Sequence, residues 1–239
     1  MNPTRLKYAI LNDIRFQRRY GFHLLYLVVT LVYLGLLFAL PATWRPVAAV
    51  IVVFSDPAAL GLFFMGAIVL FEKSVQTLES VFISPMTIGE YITAKVLSLS
   101  LISTVVGLVL LAVSIPGRLH PLPLMFGLIT GSVLFSLAGL LIASRVSSLN
   151  QFMFGVIPLS TFIAVPAILH LFNVGRGWVF WHPGAALIQL LTLGTSTEWT
   201  GLGEMMLPLG VLLLWTVFFW KLTTLQVGIM VTRLGGVQL

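Results

Sequence analysis

Cysteine is absent from this 239-residue chain, which removes disulfides, thiolate nucleophiles and cysteine-held zinc or iron–sulfur centres. Charge is scarce as well: Asp, Glu, Lys and Arg make up 8% of residues, where a soluble domain carries about 25%. With 59% of residues apolar, a soluble domain is excluded. Seven acidic residues against thirteen basic ones give a net charge of +6. With so few charges in total, that excess describes placement relative to a bilayer and does not indicate a nucleic-acid partner. No glycine-rich phosphate loop ends in Gly-Lys-Ser or Gly-Lys-Thr, and no His-Glu-x-x-His, Ser-His-Asp set or carboxylate pair is found. Catalytic, cofactor-binding and metal-ligating residues are therefore expected to be absent. His23, His120, His170 and His182 lack metal-ligand spacing and read as interfacial or packing residues.

What the chain has is long apolar runs. A helix crossing roughly 30 Å of hydrocarbon needs about 20 of them, within a range of about 17 to 25. Six segments qualify: 22–40, 57–71, 96–115, 122–144, 152–172 and 205–220. The run after the basic N-terminus is too long for a secretory core and lacks a small-residue cleavage site, so it reads as retained. Asp56-Pro57 marks the start of the second span, since Asp at an N-cap followed by Pro is a start signal. Residues 47–54 then form an outer interfacial piece. Pro158 and Pro166 predict a bent fifth span. The apolar stretch from Trp178 to Leu193 is short and broken by His182-Pro183-Gly184, which favours an outer re-entrant hairpin over a seventh span. Gly127 and Gly131 form a GxxxG pattern that favours close packing within one subunit.

Orientation follows from where Lys and Arg fall. With the N-terminus cytoplasmic, ten lie inside (Arg5, Lys7, Arg15, Arg18, Arg19, Lys73, Lys95, Arg145, Lys221 and Arg233) and three outside (Arg45, Arg118 and Arg176). Both termini are thus expected in the cytoplasm, in a plasma or inner membrane. Leu6, Ile10 and Ile14 recur at helical spacing with arginines to other sides, so residues 1–21 predict a helix lying in the headgroup layer, as topology anchor or partner contact.

The long cytoplasmic connection, 72–95, carries three of the seven acidic residues. Val75, Leu78 and Phe82 make an apolar stripe among Glu72, Lys73, Gln76 and Glu79. Ser84-Pro85 stops that helix, because the residue before proline leaves the α region. Thr87-Ile88-Gly89-Glu90 is a capping box that starts a new helix running through Lys95 into the third span. The expectation is helix, corner, helix.

This segment resembles the coupling region of ABC-2 type transporter permeases, the membrane subunits of ATP-driven exporters. The family pattern reads approximately Glu-Arg-x-x-Gly-Thr-Leu-Glu, then Ser-Pro, Glu-Tyr and a Lys. Here it stands as Glu72-Lys73, Thr77-Leu78-Glu79, Ser84-Pro85-Met86-Thr87, Glu90-Tyr91-Ile92 and Lys95, with Lys73 in place of arginine and Gln76 in place of glycine. Within that family the chain is most similar to the fluoroquinolone-export permease group, on Ser55-Asp56-Pro57, Gly66-Ala67 and Glu72-Lys73.

The resemblance implies an all-α polytopic membrane protein: one ABC-2 transmembrane domain over 1–239 with six spans, an interfacial N-terminal helix, a cytoplasmic coupling helix and an outer hairpin within 173–204. It implies two copies of an ATPase subunit carrying the ATP and Mg, and a second permease copy or paralogue. Coupling residues are expected at Glu72, Leu78, Glu79, Phe82, Ser84, Pro85, Glu90 and Lys95, with Leu78 and Phe82 filling an apolar groove on the ATPase, Glu79 and Glu90 near its rim, and Lys95 fixing the elbow at the bilayer surface. Asp56, acidic within an apolar run, is either a helix cap or a group on the substrate path. Export of hydrophobic or amphipathic compounds, fluoroquinolones among them, is the expected function. The alternatives are a secondary carrier, which should show inverted repeats and mid-membrane charges, and a membrane-anchored assembly factor.

Overall fold

Asn2 begins the first helix in the computed structural model: its side chain accepts from the amide of Thr4, and Pro3 occupies the first helical position, where its missing N–H costs nothing. The structure describes residues 2–55, 57–78, 81, 85–117, 119–172, 174, 176–197 and 201–234, and every structural statement concerns these. Among them are ten helices and no strand: α1 (Pro3–Arg19), α2 (Phe22–Ala39), α3 (Arg45–Ser55), α4 (Pro57–Ser74), α5 (Ile88–Ser114), α6 (Pro121–Arg145), α7 (Leu149–Leu171), α8 (Arg176–Val179), α9 (Pro183–Thr195) and α10 (Leu202–Leu234).

Five of these, α2, α5, α6, α7 and α10, are long and apolar enough to cross a membrane. This is an integral membrane protein. Its apolar side chains point outward as much as inward: α2 buries only Tyr26, Thr30 and Leu37 and turns Leu24, Leu27, Val28, Leu31 and Leu36 outward. An inward face carrying Tyr and Thr with leucines outside is the inverse of a soluble helix, as hydrocarbon solvent requires. At about 1.5 Å per residue α5 is ~40 Å long and α10 ~50 Å, so each outruns the roughly 30 Å apolar layer.

The helix α6 is the hub, packing against α4, α5, α7, α9 and α10. Lipid tails are as apolar as leucine, so close approach, not burial of oil, must hold spans together. Small residues permit it: Gly127, Gly131, Ser132, Ser136 and Gly139 all lie buried on α6. A methyl group on Gly139 would sit 2.3 Å from the Leu62 carbonyl of α4. The GxxxG pair faces α9 of the same chain, Gly131 against Leu187 and Gly127 against Leu190, which is the intrasubunit packing its sequence context predicts. From α10, the Thr223 hydroxyl donates to the Leu137 carbonyl of α6 at 3.2 Å.

Two short helices fill the remaining space. With 11 and 13 residues, α3 and α9 are too short to cross, and they pack against one another. Residues 47–54 are therefore not merely interfacial: Val50, Val53 and Phe54 are buried, with Phe54 edge-on to Phe135 of α6 at 6.1 Å. At its start α9 meets the middle of α7, where Phe162 lies 4.5 Å from the His182 ring. At its end the Gly194 carbonyl accepts from the amide of His120, just ahead of α6, at 2.8 Å. The helix α7 continues through Pro158 and Pro166 without interruption.

Candidate functional site

The expected capping box is present. Thr87 Oγ1 accepts from the amide of Glu90 at 3.2 Å, and Glu90 Oε2 accepts from the amide of Thr87 at 3.0 Å. The second carboxylate oxygen does something the local sequence does not announce: it accepts from the amide of Asn2 at 2.7 Å. One carboxylate thereby fastens the starts of α1 and α5, and Arg5 of α1 donates to the Pro85 carbonyl at 2.7 Å in the corner between them.

Farther along the same contact lies a buried charge cluster. Lys95 Nζ of α5 donates to Asp13 Oδ1 of α1 at 2.6 Å and to Glu72 Oε1 of α4. Tyr91 donates to the other Glu72 oxygen at 3.3 Å. All three charged side chains are below one tenth exposed, and the Phe16 and Tyr91 rings face the ammonium at 5.9 and 5.6 Å. Two carboxylates share one cation. Burial pushes the Glu72 carboxyl above its usual range, and Lys95 opposes that rise. Gln17 then donates to Ser98 at 3.0 Å, and Phe16, Tyr20 and Phe71 stack in a three-ring group that closes α1 on α4.

The neighbouring cation works in another direction. Lys73 Nζ donates to the carbonyls of Ala143 and Val146 at 2.7 and 2.8 Å, satisfying the orphan acceptors where α6 ends. Burial draws its pKa down. Adjacent residues Glu72 and Lys73 thus tie the end of α4 to α1 and α5 on one hand and to α6 on the other. Gln76, which stands where the family pattern has glycine, has φ +55°, the left-handed region that glycine enters freely.

That turn corrects the expected geometry. Helix α4 continues to Ser74, and the chain turns at Val75 and Gln76, so Val75 and Leu78 do not share one uninterrupted helix. Val75 is about half exposed, whereas Leu78 is 1% exposed and packed into the protein's own core, where it is out of reach of a groove on a partner. Glu72, Glu90 and Lys95 are equally buried and act within the chain. Lys95 lies in an ion cluster and not at an exposed elbow. Pro85 is exposed. Glu79, Phe82 and Ser84 lie outside the described residues, as does Asp56, although α3 ends at Ser55 and α4 begins at Pro57 as the Asp56-Pro57 signal predicts. The residues of this contact that the sequence does not single out are Asp13, Gln17 and Asn2. A signal existed for Asp13: it is one of seven acids and the only one within a strongly basic helix.

Against the middle of α7, His182 caps α9, with Nδ1 accepting from the amide of Gly184 at 3.3 Å. Its ring is packed among Phe162 and Trp215. Trp215 donates to the Trp181 carbonyl at 2.9 Å.

Comparison with known proteins points to one family. Residues 4–231 match the profile of the fluoroquinolones export permease protein family. Proteins named fluoroquinolones export permease protein from two strains of Mycobacterium tuberculosis are each 32% identical over 166 residues, covering 69% of this chain and 70% of theirs.

Proposed function

Since the chain belongs to the fluoroquinolones export permease family, we propose that it is the membrane half of an ATP-driven exporter, moving hydrophobic or amphipathic compounds such as fluoroquinolones outward across the plasma membrane. Two ATPase subunits supply ATP and Mg, and a second permease copy or paralogue completes the pathway. Six crossings, with α4 as the second, place both termini in the cytoplasm.

The observation that carries this proposal is the fastening of four helices at one end of the bundle. The ion cluster and the Glu90 carboxylate join α1, α4 and α5, and Lys73 joins α4 to α6. A push delivered to the surface around Pro85 is then passed to the ends of several spans at once. In this scheme Glu79 and Phe82 make the outward contact with the ATPase, Ser84 and Pro85 form the corner, and Glu72, Leu78, Glu90 and Lys95 keep the lever stiff. Asp56 caps α4 or meets cationic cargo at the outer mouth. Between α7 and α10, α8 and α9 form a re-entrant hairpin: the start of α9 meets Phe162, about 14 Å below the end of α7 at 1.5 Å per residue, and its end returns to His120. A secondary carrier is less well supported, because the clustered charges sit at one end of the bundle and not across its middle.

The test is ATP-dependent uptake of ciprofloxacin into inside-out vesicles holding the chain and its cognate ATPase. Uptake that needs ATP and both proteins, and is lost in a Glu79→Ala, Phe82→Ala variant that still inserts, supports the proposal. Equal uptake without ATP or without the ATPase overturns it.

A further inference from the structure

Along the outward side of α5 and α6, where α1 abuts them, lies a cavity of about 480 Å³. It is lined by Ile10 and Ile14 of α1, Leu101 and Val105 of α5, and Met125 and Ile129 of α6. The hollow has a local cause: Ser100 and Thr104, one turn apart on α5, are small where their neighbours are leucine and valine. Leu101 is 61% exposed, so the cavity opens sideways toward lipid. Its α5 wall runs from Leu97 to Leu108, roughly 17 Å at 1.5 Å per residue, close to half of the ~30 Å apolar layer. On α6 the lining continues from Val133 out to Met125, in the outer half of that span, so an acyl chain lying here reaches the mid-plane and beyond.

Charge on α1 indicates what fills it. At 3.6 residues per turn Lys7, Ile14 and Arg18 fall within about 40° of one another on the helix surface, beside Ile10. Both cations are exposed, and neither has an acidic partner among the described residues. Among the described residues the lining contains no aromatic ring to stack on a planar drug and no carboxylate to meet a cationic one. An occupant with a long saturated tail and a negative head fits where a quinolone does not.

We propose that this cavity binds an anionic phospholipid of the leaflet in which α1 lies, one acyl chain along α5 and α6 and the negative head at the α1 rim, in the field of Lys7 and Arg18. The site is separate from the cargo path and does not depend on which compound is exported. A lipid held there bridges α1 to α5 and α6 beside the ion cluster, adding to the stiffness of that end of the bundle.

The test is native mass spectrometry of the purified full chain after exchange into equal phosphatidylglycerol and phosphatidylcholine. The wild type should retain phosphatidylglycerol in preference. Each cation near an anionic head contributes about a fivefold factor, so Lys7→Ala with Arg18→Ala should cut the preference about thirtyfold. Leu101→Trp, at an exposed position that tolerates bulk, should lower retention of both lipids while thermal stability in detergent stays within a degree or two of wild type. No preference in the wild type, or an unchanged preference in the double variant, overturns the proposal. Displacement of the lipid one for one by ciprofloxacin reassigns the cavity to cargo, and loss of the lipid on dimerisation reassigns the face to a second copy; either overturns it.

Discussion

Replacing Lys95 by methionine removes the cation from a site that holds Asp13 and Glu72, both less than one tenth exposed. Removing one partner of a buried ion pair costs about 3–5 kcal/mol, because the charge left behind has lost its solvent. The cost has a ceiling, since a stranded carboxylate can take up a proton. From a reference pKa near 4.3, protonating a glutamate at pH 7 costs roughly 3.7 kcal/mol, and at pH 5 about 1 kcal/mol. Lys95→Met should therefore destabilise the protein by about 3–4 kcal/mol at pH 7, and the deficit should shrink by roughly 2 kcal/mol or more at pH 5. The measurement is equilibrium unfolding by SDS in mixed micelles, followed by circular dichroism, comparing variant with wild type at each pH. Replacing all three groups, as Asp13→Asn, Glu72→Gln and Lys95→Met, should recover most of the loss, to within about 1–2 kcal/mol of wild type, since no stranded charge remains. A deficit equal at the two pH values, or below about 1 kcal/mol at pH 7, refutes the idea that these residues form one coupled buried unit.

Three other outcomes follow from the geometry. Gly139→Ala drives a methyl group against the Leu62 backbone and should cost about 2–3 kcal/mol by forcing α4 from α6, while Gly35→Ala, with open space around it, should be neutral or slightly stabilising in the same SDS titration. Lys73→Met frees the carbonyls of Ala143 and Val146 and should cost about 1–2 kcal/mol, read as faster hydrogen exchange in the last turn of α6. His182→Ala removes the side-chain acceptor that caps α9 and should cost about 1 kcal/mol in the same titration, most of it recovered in His182→Asn; equal stability of both variants shows that the cap is not what the imidazole supplies.

The amino-acid sequence determined whatever depends on neighbours along the chain. Membrane spans are legible because a helix satisfies its own backbone, so composition over about 20 residues suffices to meet a 30 Å apolar layer. The capping box, the start of α4 at Pro57 and the internal use of the Gly127 and Gly131 face were equally local signals. The family pattern over 72–95 was legible as a pattern, and the left-handed turn at Gln76 gives the physical reason that pattern carries glycine there. Only the tertiary structure decided what those residues touch. Asp13, Glu72 and Lys95 come from three helices far apart in sequence, and each alone reads as an ordinary solvated charge beside a membrane span. A charge out of water is stable only where its counter-charge arrives, and that arrival is a property of packed helices, invisible in any window along the chain.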